Sequence, residues 1–180
     1  MAFLGTIPST SNVVASAITG TISGTRLPTG SVLQVIQTTK SDVFTTTSTS
    51  YTDVTGLSVS ITPTSATSKI LVFGTIIISN TGDMAAMQLV RGSTPIQVGT
   101  AASNRYAATA DFRASADGAV SAAIPLNFLD SPSTTSSTTY KIQVSAKVSG
   151  TTRVNTAGDD VDQTNRGRFM STITVMEIAG

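Results

Sequence analysis

The segment from Ile70 to Ser79, ILVFGTIIIS, constrains the fold of this chain more than any other. Its isoleucine, valine and phenylalanine side chains are β-branched or aromatic, types that suit a pleated, packed surface better than a helix. Nearly every position is apolar, so no polar face remains, and the pattern predicts a central strand covered on both faces. It falls far short of the roughly 20 apolar residues that cross a bilayer, and no membrane insertion is expected. The residues just before it behave differently. Leu57, Val59 and Ile61 alternate with Ser58, Ser60 and Thr62, the period-two mark of a strand with one buried face. Two strands of such different character, joined by a polar connection containing Pro63, require a core of more than one layer.

The same alternation recurs along the chain. From Gly30, Val32, Gln34 and Ile36 alternate with Leu33, Val35 and Gln37, and Val43 to Tyr51 is a run of β-branched and aromatic residues with polar alternates. Asn80-Thr81-Gly82-Asp83 is a strong turn signal, after which Met84 to Arg91 reads as a strand, and Arg91-Gly92-Ser93 turns it back toward Ile96 and Val98 as a hairpin. Residues 99–119 are rich in small side chains and predict a loop with a short strand around Tyr106 to Phe112. Pro125 places Ser121 to Leu129 at an edge or a strand start. Tyr140 to Val148 is the cleanest alternation, with Tyr140, Ile142, Val144, Ala146 and Val148 on the core face, and Phe169 to Ile178 follows a polar loop from Gly150 to Gly167. About eight to ten short strands at intervals of roughly 8 to 12 residues are the signature of an all-β sandwich or barrel. No long helix is needed.

At 180 residues the chain suits one such domain, spanning 30–180. Residues 1–29 are Thr, Ser, Gly and small apolar residues broken by Pro8, Gly20, Gly24 and Pro28, and read as an extended N-terminal arm. Either the arm is an irregular tail, or Phe3, Leu4 and Ile7 form a docking peptide that orders against a partner.

Composition removes most enzymatic chemistry. The chain has neither cysteine nor histidine, which eliminates disulfides, thiolate nucleophiles, Ser-His and Cys-His pairs and most zinc sites. No cofactor is implied. A net charge of +1 lacks the basic surface that neutralises phosphates, so nucleic acid is not an expected partner. Charged residues are only 12% of the chain, and Ser and Thr supply most of the polarity. The amino terminus has neither the basic region nor the apolar core of a signal peptide.

Asp159, Asp160 and Asp162 offer oxygen atoms to a cation, yet without the spacing of a calcium loop, and ion pairing with Arg166 and Arg168 is the simpler expectation. Nine aspartates scattered over predicted turns, with Glu177 as the lone glutamate, give no pattern for glycoside hydrolysis. The most suggestive group is Asn104, Arg105, Tyr106, Asp111 and Arg113. Aromatic, amide and guanidinium groups in one loop can contact a sugar or a protein epitope. The alternative is that Tyr106 and Phe112 fill the rim of the core.

Several blocks carry a resemblance: GSVLQVIQTTKSD (Gly30 to Asp42), TSTSYTDVTGLSVSITPTSATSKILV (Thr47 to Val72), LVRGSTPIQVGT, LNFLDSPSTTSSTTYKIQV and the ending STITVMEIAG. Together, and in this order, they resemble a domain of tail-fibre and other virion proteins of marine bacteriophages and cyanophages. Such domains are similar to the trimeric jelly-roll heads of the C1q and tumour-necrosis-factor type. The resemblance covers most of residues 30–180 and implies a jelly-roll β-sandwich, a homotrimer and a place on a virion assembled in the host cytoplasm. On that basis the first expectation is a non-enzymatic receptor-binding head that meets other virion proteins through its arm and a host glycan or protein through the loop residues Asn104, Arg105, Tyr106, Asp111 and Arg113. A capsid decoration protein clamped to the shell by Phe3, Leu4 and Ile7 is the alternative, and a polysaccharide depolymerase a more distant one. Neither shaft repeats nor an enzymatic partner domain accompanies these blocks.

Overall fold

A computed structural model describes residues 27–113 and 120–180. The arm residues Phe3, Leu4 and Ile7 lie outside the described residues. In chain order the strands are β1 (Val32–Lys40), β2 (Phe44–Thr46), β3 (Thr52–Ile61), β4 (Lys69–Asn80), β5 (Met84–Arg91), β6 (Thr94–Ile96), β7 (Ala110–Arg113), β8 (Ser121–Asp130), β9 (Thr138–Ala146), β10 (Thr152–Val154) and β11 (Ser171–Ile178). They form two antiparallel sheets, and no helix occurs among the described residues.

The registers reduce these strands to eight lanes. β8 pairs with β4 along almost its whole length, from Ile70 opposite Asp130 to Ser79 opposite Ser121. The other flank of β4 is therefore shared by β11, which pairs over Lys69 to Thr75, and β10, which pairs over Ile78 to Asn80. β1 and β2 likewise share the flank beyond them. In the second sheet β9 occupies one side of β5, while β6 and β7 divide the other. The first lane thus pairs with the last, β3 with β9, β4 with β8, and β5 with β6/β7. This nested pairing is a long antiparallel hairpin rolled into two sheets, the jelly roll.

The inward faces hold the core. Leu57, Val59 and Ile61 of β3, Ile70, Val72, Ile76 and Ile78 of β4, Met87 and Leu89 of β5, Tyr140, Ile142 and Val144 of β9, and Ile173 and Val175 of β11 form one buried cluster. Each such aliphatic side chain, fully buried, contributes about 1.5–3 kcal/mol. The period-two patterns of β3 and β9 appear as read from the sequence. Pro125, which lacks an N–H, sits on the edge lane β8 opposite Thr75.

Three expectations change. Val43 to Tyr51 yields only the three residues of β2. Beyond it, Ser48 N–H donates to Thr46 Oγ1 and Ser50 N–H to Ser48 Oγ, so side-chain hydroxyls replace ladder partners. Val148 is 58% exposed rather than core. The chain leaves β9 at Ala146 and makes a close crossing, in which a Cβ on Gly82 would lie 2.7 Å from the carbonyl oxygen of Ser149. Finally, β4 is central within its sheet but buried on one face only: Leu71, Phe73 and Ile77 on its outward side are partly exposed.

Candidate functional site

The strand registers give the sandwich two distinct ends. The chain enters at one, where Gly30 N–H donates to Ala179 O at 2.8 Å and Val32 stands opposite Ile178. Lys69, Asp130, Arg91 and Tyr140 belong to this arm-proximal end. The opposite end is marked by Met84 opposite Arg113, Ala85 opposite Ala146 and Asn80 opposite Thr152.

Residues 97–109 interrupt the lane shared by β6 and β7 midway, between the partners of Leu89 and Met87, and reach toward the arm-distal end, where Tyr106 meets Met84. Ala102 and Arg105 exchange backbone hydrogen bonds of 3.1 and 3.0 Å around a left-handed Ser103, which fixes a tight turn. Thr109 closes the excursion: its N–H donates to Met87 O, and its Oγ1 accepts from Leu89 N–H. Between these anchors Tyr106 donates its hydroxyl proton to Asp111 Oδ2 at 2.9 Å and lies 2.7 Å from Met84 Sδ. Tyr51 donates to Ala107 O at 3.0 Å. The Lys147 ammonium sits 5.0 Å from the Tyr51 ring centre and 4.8 Å from that of Tyr106, a cation–π contact with both. Burial, with the Asp111 charge adding to it, pushes the Tyr51 phenol up to about 12. Burial and the hydrogen bond to Asp111 push Tyr106 higher still, so both hydroxyls stay protonated.

Asn104, Arg105, Tyr106 and Asp111, with Gly99, Ala108 and Ala110 between them, line an open cleft of about 450 Å³. Arg113 is not part of it, because its guanidinium pairs with Asp83 at 2.6 Å. Phe112 packs against the core, so rim-filling falls to Phe112 while Tyr106 lines the cleft. Tyr51 and Lys147 were not foreseen. They lie far apart in the chain, on a serine-rich run and at the end of β9, and nothing local connects either to Tyr106.

The aspartate-rich loop is a second excursion, from the lane shared by β10 and β11. Asn155, left-handed and buried, is its neck. Its N–H donates to Ile77 O, its carbonyl accepts from Phe169 N–H, its Oδ1 accepts from Ser171 Oγ, and its Nδ2 donates to Lys40 O and Asp42 O. Beyond the neck, Arg166 grips Asp159 through two nitrogens at 2.7 Å each, and Arg168 pairs with Asp160 at 2.9 Å. The Arg166 guanidinium holds the Asp159 carboxyl below the usual carboxylate range. Asp162 is exposed, and the three carboxylates do not converge on one point.

Glu177 lies buried at the arm-proximal end. It accepts hydrogen bonds from Gln34 Nε2 at 2.6 Å and from Thr64 N–H and Oγ1 at 2.7 Å each. Burial alone raises its pKa, but the bonds from Gln34 and Thr64 outweigh that, and it lies below the usual value. It ties β11 to the β3–β4 connection.

The outward faces of the two sheets differ in chemistry. Across β3, β9 and β5 runs a polar chain: Gln88 Nε2 donates to Gln143 Oε1 at 2.6 Å, Gln143 Nε2 to Asp53 Oδ1 at 2.6 Å, and Lys141 Nζ to Asp53 Oδ2 at 2.7 Å. Across the four lanes of the first sheet, by contrast, the registers align Val35, Met176, Leu71 and Leu129 in one apolar row. Val35 is 51% and Leu129 52% exposed.

The fold is thus that of a jelly-roll β-sandwich. No family model matches the chain, and no curated protein matches it. Among solved structures it is similar to that of infectious bursal disease virus Gx strain, at 12% identity and a TM-score of 0.40, over 90% of this chain and 47% of that one. The Gt strain structure shows 12% identity and a TM-score of 0.42 over 91% and 43%. The VP2 subviral particle of the same virus shows 13% and 0.36 over 81% and 41%. This chain spans less than half the length of each. The jelly-roll assignment rests on the strand registers.

Proposed function

We propose that this chain is a non-enzymatic virion structural protein that self-associates as a homotrimer through the outward face of its first sheet. Its arm attaches it to the particle, and its arm-distal loops contact the host surface. The observation that carries this reading is the exposed apolar row Val35–Met176–Leu71–Leu129, opposed on the other sheet by a face whose exposed groups are mostly polar and are linked through Gln88, Gln143, Asp53 and Lys141. A monomer in water has no use for such an asymmetry, whereas cyclic assembly covers the same patch on every copy. The block-by-block resemblance to phage virion domains supports the same assembly. The two-ended layout favours a receptor-binding head over a capsid cement protein, because the cleft and the arm attachment lie at opposite ends. Among the described residues no constellation of catalytic groups supports an enzyme.

The native chain has no cysteine, which makes single-cysteine labelling direct. A fluorophore on Thr75→Cys, in the first sheet's outward face, should be shielded from iodide quenching. The same fluorophore on Ser60→Cys, on the second sheet, should stay accessible. Equal quenching at both positions would refute association through the first sheet. For attachment, a protein lacking residues 2–29 is expected to fold and self-associate yet be missing from assembled particles. Loss of self-association in that truncation would instead make the arm part of the fold.

A further inference from the structure

We propose that the arm-distal cleft binds an acidic saccharide, with the Arg105 guanidinium receiving the sugar carboxylate. This deepens, and rests on, the reading of that end as the host-contact end. The described arginines are almost all engaged. Arg91, Arg113, Arg166 and Arg168 each pair with an aspartate, and Arg153 donates to the carbonyl of Gly158. Arg105 has no such carboxylate among the described residues. Its Nε reaches Ala102 O at 3.4 Å within its own turn, and its two terminal nitrogens remain available for the parallel two-bond fork that guanidinium forms with carboxylate. The reciprocal backbone bonds of Ala102 and Arg105 hold the base of that side chain in place.

The neighbouring groups suit the rest of a sugar. Tyr106 offers a rigid aromatic wall whose hydroxyl is already engaged by Asp111 Oδ2. That leaves Asp111 Oδ1 as an acceptor for a sugar hydroxyl, and Asn104 adds an amide donor and acceptor. Gly99, Ala108 and Ala110 keep the floor low enough for a ring to approach the backbone. Arg105 and Asp111 are the charged groups that line the cleft, and the Lys147 ammonium stacked on the Tyr106 ring adds a second positive charge beside it, so the cleft can accommodate an anion. Its volume of about 450 Å³ lies within the range of small-molecule sites. A neutral sugar would leave Arg105 unmatched.

The test uses the full chain and two polymers identical except for one group, polyacrylamide bearing β-glucuronide and polyacrylamide bearing β-glucoside, so that several weak contacts add. The glucuronide polymer is expected to bind at least about tenfold more tightly, as one charge-assisted pair supplies. Arg105→Gln should remove that preference, while Lys141→Gln, on the polar sheet face, should keep it. Equal binding of both polymers, or a preference that survives Arg105→Gln, overturns the inference. If neither polymer binds but Tyr106→Ala still reduces adsorption of particles to host cells, the acidic-sugar assignment fails and the host-contact reading stands. Unchanged adsorption in Tyr106→Ala refutes both.

Discussion

At the scale of single residues, the chain places its few strong polar groups where strands are interrupted. Asn155 satisfies the carbonyls of Lys40 and Asp42, where β1 gives way to β2, and bonds Ser171, where β11 begins. Asn155→Ala should therefore cost about 2–4 kcal/mol in urea unfolding, since it takes this donor from two carbonyls and the acceptor from the Ser171 hydroxyl proton, and strains a left-handed backbone. Asn155→Gly should cost less, because it relieves the strain and loses only the side-chain bonds. Glu177 makes a pH prediction. Its folded pKa is depressed, so the unfolded chain binds the proton more readily, and its stabilisation is full above the unfolded value of about 4.3 and lost as pH falls through the folded value. Asp42, Asp53 and Asp159 are depressed in the same direction, so the glutamate is isolated by difference. Glu177→Gln should be less stable than the native protein at pH 7, and the gap should close as the pH is lowered below about 4. A gap independent of pH would show that the carboxylate charge is not what Thr64 and Gln34 recognise. The sequence marks Glu177 as the lone glutamate but shows neither its role nor that of Asn155, because their partners lie on other strands.

At the scale of elements, legibility followed locality. The buried faces of β3 and β9 were plain, because Leu57-Val59-Ile61 and Tyr140-Ile142-Val144 write their burial into neighbouring positions. The shortening of Val43 to Tyr51 was not, since Ser48 and Ser50 look like ordinary polar alternates until their hydroxyls take the backbone bonds. The two excursions were read as loops, but not as interruptions of single lanes, a fact held in the registers with β4 and β5. The Tyr51–Lys147–Tyr106 contact was hidden for the same reason, whereas Asn104, Arg105, Tyr106 and Asp111 were legible as a group because one short segment carries them. Gly74 shows the limit of reading β4 as a uniform apolar run. A Cβ there would lie 2.1 Å from Thr172 O, so at Gly74 the β11 backbone leaves no room for a side chain. Gly74→Val should prise β11 from β4 and lower the thermal midpoint by about 6–12 °C, as a loss of about 3 kcal/mol implies for a chain of this size. Gly92→Ala is the control: its backbone is left-handed but its surroundings are open, and a cost near 1 kcal/mol is expected.

At the scale of the whole molecule, the expected double-sided burial of β4 and its observed single-sided burial become consistent if other copies cover the outward face. The pattern Ile70 to Ser79 then describes the assembled protein, and the isolated chain leaves half of it uncovered. The most direct test is the mass in solution. Sedimentation equilibrium should give three times the 18.4 kDa chain mass for the native protein. The double variant Leu71→Glu/Leu129→Glu should give one chain mass with an unchanged β-sheet circular dichroism spectrum. A native protein that sediments as a single chain, or a double variant that remains trimeric, would contradict the account.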